Sequence, residues 1–157
     1  MKYGKYLTGD LYKKNSGNKS GKFSHLGISL HLRSRLTFQT YSTMRLEDFL
    51  PKLRTQPDTV LFTVTMQVIE ANYEFTPTRF TNGAIVNEAG TNSGSCKLFS
   101  FAKLQGLSKE ETLACFGDYY RVDVLQHPEA TNHANICNFM VTGWEGISFD
   151  ADALQQK

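Results

Sequence analysis

Cysteine is scarce in this chain of 157 residues, with only Cys96, Cys115 and Cys137. An odd number cannot close into a complete disulfide framework, and no secretory leader with a continuous apolar core precedes them, so a reducing compartment is expected. Long hydrophobic runs are missing too. None approaches the roughly 20 residues that a helix needs to cross a bilayer, which excludes a transmembrane helix, and no membrane partner is expected. The cysteines and histidines contain no closely spaced pair of the kind that ligates zinc, so neither a metal nor a cofactor is expected.

Acidic residues are nearly absent from the first 43 positions. Eight lysines and arginines there face Asp10 alone, a balance of +7, whereas the rest of the chain carries 9 basic and 14 acidic residues, a balance of −5. The run Lys13-Lys-Asn-Ser-Gly-Asn-Lys-Ser-Gly-Lys22 has too little apolar surface to offset the entropy of ordering it. Residues 1–43 are therefore expected to be a disordered basic extension that adds nothing to folding. Three origins compete for it: an upstream reading frame ahead of a start at Met44, a nearly acid-free secretion signal, or a phosphate-binding arm. The last lacks interleaved aromatics and any nucleic-acid module, so nucleic acid is not the expected partner.

What the chain does have, at 40% hydrophobic and 12% aromatic content, is enough for one core-forming domain. Leu46, Phe49, Leu50 and Leu53 lie on one face of a helix over 46–55. Asp58 to Asn72 reads either as a strand (Val60, Phe62, Val64, Met66, Val68) or as a helix (Phe62, Met66, Ile69, Tyr73). Its length without a turn signal favours helix. Two apolar runs, 75–80 and 84–86, flank Asn82-Gly83 and predict a hairpin turning on that dipeptide. Residues 87–95 read as a polar, glycine-rich loop feeding a helix over 96–105, with Gly106 as its stop.

Ser108-Lys-Glu-Glu111 matches a capping box. It opens a helix with Leu113, Phe116, Tyr120 and Val124 inward and Gly117 buried in its middle, ended by His127-Pro128. Thr131 or Asn132 then caps a helix from His133 to about 141, closed by Gly143. A strand over 146–149 is expected to join the hairpin, and the tail beyond Ala153 to fray. Together these give an α+β domain over 44–157: a small, largely antiparallel sheet, made of the hairpin and a C-terminal strand, packed with four or five helices.

Two groups of residues could carry chemistry. The loop residues Asn87, Glu88, Thr91, Asn92 and Ser95, with Lys97, offer amides and side-chain donors at a helix start and could cradle a small anion. Gly90 and Gly94 have the wrong spacing for a Walker A loop, and the same side chains would equally satisfy the helix start by themselves. Cys96, in the expected first helical turn, would be a nucleophile only if His127 or His133 reached it, with Glu88 or Asp118 orienting the imidazole. A buried structural cysteine is the competing reading. Tyr119, Tyr120, Arg121 and Trp144 read as core or cleft residues, and Asp118 and Asp123 as a solvated helix face.

The runs Tyr73-Glu-Phe-Thr-Pro-Thr, Phe80-Thr-Asn-Gly, Asn87-Glu-Ala-Gly-Thr-Asn, Gly94-Ser-Cys-Lys and Phe101-Ala-Lys-Leu-Gln-Gly resemble the bacterial HopJ family, named for a type III effector of a plant pathogen. The likeness continues through Gly117-Asp-Tyr-Tyr-Arg, His127-Pro, Asn135-Ile and Gly143-Trp144. It implies a bacterial cytoplasmic protein open to type III secretion into a host cell and, with the loop read above, a ligand- or protein-binding module whose partner is a host protein or a small anion. It implies no reaction. A cysteine-dependent hydrolase or transferase built on Cys96 and a ligand-free scaffold are the alternatives.

Overall fold

The computed structural model describes residues 44–157, which fall in one compact unit. The expected disorder of residues 1–43 lies outside the described residues. Helix α1 spans Leu46–Thr55 and buries Phe49 and Leu53, as their spacing predicts. A single 3-10 turn at Pro57–Thr59 leads to α2, Phe62–Asn72, so the ambiguous segment is a helix. It starts four residues later than expected because Pro57 and an extended Leu61 hold the chain outside it.

Strand β1 (Tyr73–Phe75) follows at once, then β2 (Phe80–Asn82) and β3 (Ile85–Asn87). The β2–β3 pairing sets Asn82 opposite Ile85, which makes Gly83-Ala84 the two turn residues and not Asn82-Gly83. Gly83 alone has positive φ, +57°, the pattern of a type II′ turn with glycine in the first central position. Freed from the turn, Asn82 is a strand residue with its side chain fully buried.

Helix α3 runs from Ser93 to Leu104, and α4 from Lys109 to Ala114. The α4 capping box is present in both directions: Ser108 Oγ accepts from the Glu111 amide at 3.1 Å, and the Ser108 amide donates to Glu111 Oε2 at 2.8 Å. Where one long helix was expected, the chain breaks at Gly117, whose φ is +61°. It resumes as a π-helical segment, Tyr119–Val124. Such wide turns recur at functional sites.

Helix α5, Ala134–Thr142, starts after His133, so neither Thr131 nor Asn132 is its cap. Strand β4 (Ile147–Phe149) pairs with β2 to give the three-stranded antiparallel order β3-β2-β4. A second sheet departs from expectation. The tail does not fray: β5 (Leu154–Gln156) pairs antiparallel with β1, and Ala153 and Leu154 are buried. The architecture is α+β, with small antiparallel sheets among the helices.

Ring–ring contacts organise the core around α3. Phe99 meets Phe80, Phe116 and Phe139, and Phe101 meets Phe49 and Tyr73, with centroids 4.8–6.2 Å apart. Each ring removes a large apolar area from water and adds an orientation preference. One residue of the expected α3 apolar face does not join: Leu104 is mostly exposed.

Candidate functional site

Asparagines do the polar work beneath the hairpin. Asn87 and Asn135 exchange amide hydrogen bonds, Asn87 Nδ2 to Asn135 Oδ1 at 3.1 Å and Asn135 Nδ2 to Asn87 Oδ1 at 2.8 Å. Asn82 Nδ2 donates to Asn135 O at 2.6 Å, and Asn92 Nδ2 donates to Asn87 Oδ1 at 2.7 Å. Three of the four are buried, so each bond replaces hydration that the fold has removed. The network ties β2, β3, the loop after β3 and the start of α5 into one unit. Asn82 Oδ1 is the one buried side-chain acceptor without a partner among the described residues.

Above this unit lies a pocket of about 280 Å³. Asn92, Gly94 and Ser95 come from the start of α3, His133, Ala134 and Asn135 from the start of α5, and Phe62, Phe116 and Tyr119 close the other side. Asn92 and His133 are the two non-glycine residues with positive φ among the described residues, at +48° and +58°. Each immediately precedes a helix, and neither caps it with its side chain. The first helical bonds are donated by Cys96 to Asn92 O and by Ile136 to His133 O, so the earlier amides of both helices have no intrahelical acceptor. No acidic residue sits in either first turn. Both helix dipoles therefore present partial positive charge to one cavity.

His133 brings an imidazole to the pocket. Its Nε2 lies 3.0 Å from Asp123 Oδ2, and its ring packs on Tyr119 with centroids 5.0 Å apart. With Asp123 accepting from Nε2–H, Nδ1 is the ring nitrogen left for a second partner. The orienting carboxylate is thus Asp123, carried by the π-helical segment, and neither Glu88 nor Asp118.

Of the residues singled out in the sequence, the structure brings Asn92, Ser95 and His133 to this pocket. Asn87 supports it from below. Glu88 is exposed and paired with Arg79 at 3.3 Å, and exposed Thr91 turns its hydroxyl back onto Glu88 O at 2.7 Å. Lys97 points elsewhere: its Nζ is 2.8 Å from Glu70 Oε1 and sits over the Phe75 ring. His127 is exposed, with Glu129 as its ionic neighbour at 3.8 Å.

The cysteine-nucleophile geometry is not assembled. Helix α3 begins three residues before Cys96, whose thiol is buried and directed at Thr78 O, 3.7 Å away. Burial pushes its pKa up despite that contact, and neither histidine is hydrogen-bonded to it. Burial also takes the Cys115 thiol to about 12. Iodoacetamide should accordingly leave Cys96 and Cys115 unmodified in the folded protein and reach partly exposed Cys137 first. Mass spectrometry of the labelled peptides checks this. Rapid native labelling of Cys96 would restore the nucleophile reading.

Phe62, Asn135 and Asp123 were not marked as site residues by the sequence. Phe62 read as core. Asp123 lies ten positions from His133 across a loop, and no spacing rule connects them.

Among the described residues, no helix is long and apolar enough to cross a membrane, and no group of three or more His, Cys, Asp or Glu side chains is placed to hold a metal. The family model described as HopJ type III effector protein matches residues 46–154. A solved structure titled as that of the unknown function protein VPA0580 is 57% identical, with a TM-score of 0.72, over 73% of this chain and 95% of that one. A search of curated proteins gives no match.

Proposed function

The chain belongs to the HopJ type III effector family, matched over residues 46–154, and from that premise we propose that it is a binding module taking a small anionic ligand between the starts of α3 and α5. One observation carries the reading: the two residues held in left-handed backbone, Asn92 and His133, stand at two helix starts and line the same pocket. Such a conformation costs of order 1–3 kcal/mol per residue and persists only where its surroundings enforce it. Here both such residues stand before helices whose first amides have no intrahelical acceptor, and His133 is fixed by Asp123 beside the shared cavity. A cavity of about 280 Å³ suits a small molecule.

Inorganic phosphate is the first probe. Occupied at about ten times its Kd, the site should raise stability by about 1.4 kcal/mol, read as a higher melting temperature. His133→Ala should abolish that gain. Lys97→Ala should leave it intact, since Lys97 is engaged with Glu70. No thermal shift with phosphate, or a shift that survives His133→Ala, overturns the reading.

A further inference from the structure

Behind the Phe62–Tyr119 ring pair, whose centroids are 5.1 Å apart, lies a second hollow of about 270 Å³. Leu61, Phe62, Thr63, Asp118 and Tyr119 line it. Leu61 is 47% exposed and Tyr119 43%, and Val122, 37% exposed, follows within the same π-helical segment. Large apolar side chains left at the surface around one hollow mark an interaction site more often than isolated ones do.

The exposed charge beside the hollow is carboxylate, with each carboxylate held from the inside by one partner, Asp118 by Arg121 and Asp123 by His133. The Asp118 side chain is 66% exposed and that of Asp123 40%. Arg121 does not offset them outward: its guanidinium donates to Val60 O at 2.8 Å and to Asp118 Oδ1 at 3.0 Å, and its side chain is only 18% exposed. No lysine or arginine lines the hollow. Residues 44–157 carry 14 acidic against 9 basic groups, while residues 1–43 bring the full chain to +2, so the local carboxylates and not the net charge set the sign at this face.

We propose that this face docks a segment of a partner protein that sets an aliphatic or aromatic side chain into the Leu61–Tyr119 hollow and a lysine or arginine beside it against Asp118. Charge complementarity selects that occupant. A second copy of this chain in a twofold contact would bring Asp118 and Asp123 against themselves, because such an interface matches one patch with the same patch. The site shares the Phe62–Tyr119 wall with the phosphate pocket but opens on its other side, where Leu61, Asp118 and Val122 do not line that pocket.

The test uses the full chain, ¹⁵N-labelled, and a short amphipathic peptide of leucine, alanine and lysine, with a counterpart carrying glutamate for lysine. The lysine peptide should shift the amides of Leu61, Asp118 and Val122 saturably, and the glutamate peptide should not. Leu61→Glu and Asp118→Lys should each weaken binding by about tenfold or more. Val122→Glu serves as the independent variant should either fail to melt like the parent. The titration is run in phosphate-free buffer, so its result does not depend on whether the pocket takes phosphate, which separates this outcome from failure of the pocket reading. Shifts spread over the whole surface, equal responses to the two peptides, or variants that bind like the parent overturn the proposal. Concentration-dependent shifts at the same amides without peptide would assign the face to self-association and overturn it equally.

Discussion

Gly117→Ala should abolish the soluble fold or cost it more than about 4 kcal/mol, at the extreme of single-residue effects. Two independent penalties act together. The φ of +61° forces a Cβ into left-handed backbone, which costs roughly 1–2 kcal/mol. That Cβ would also stand 2.5 Å from the Phe62 backbone nitrogen and 3.2 Å from Leu61 Cα, so the obstruction is backbone at the start of α2 and not a side chain that can swing aside. Urea denaturation reads the effect as a fall in midpoint at unchanged m-value. A loss below about 1 kcal/mol would mean that the π-helical segment slides over α2, and the pocket wall built from Phe62 and Tyr119 would then be adjustable.

The second large effect is expected at Asn135. Replacing it with leucine keeps the volume but removes both hydrogen bonds that Asn135 exchanges with Asn87, whose Nδ2 is then buried without an acceptor while its Oδ1 keeps only Asn92, and Asn82 loses its 3.2 Å contact to Asn135 Oδ1. An orphaned buried donor plus lost bonds amounts to about 3 kcal/mol. For a domain near 100 residues that lowers the melting temperature by on the order of 10 °C. Calorimetry at matched pH measures it. Asn92→Ala, at an exposed position with one bond into the network, should cost far less. The ordering of the two variants tests whether the network holds the fold or only shapes the loop.

Local patterns carried most of the fold. Leu46, Phe49, Leu50 and Leu53 are close in sequence and their spacing is enough to place α1; the capping box works in the same way, because Ser108 and Glu111 satisfy one another within four residues. The joining of β4 to the hairpin was also legible, as three strands are the least that make a stable small sheet. Illegible were the features set by tertiary contact. Nothing near Leu154 says that it will lie opposite Phe75, and Gly117 looks like a weak helical residue until Phe62 is placed against it.

The site divides in the same way. Asn92, Ser95 and His133 were visible as polar residues at helix starts. Their convergence was not, since it depends on the asparagine network and on His133 displacing Thr131 and Asn132 as the residue before α5. Lys97 was misleading because its helix turns it toward Glu70, away from the loop that precedes it.

Both sheets are completed by residues 147–156. Strand β4 completes the hairpin sheet from residues 147–149, and β5 supplies from 154–156 the whole partner of β1, which precedes it by about 80 positions. During synthesis, α1 to α3 leave the ribosome while β1 and the open edge of β2 have nothing to pair with. Pairings of such long range close late and slowly, because the entropy of the intervening loop must be met before any contact rewards it. The nascent chain therefore passes through a period as a partly helical, unsealed polypeptide. In that period a chaperone can hold it without first having to unfold a finished domain.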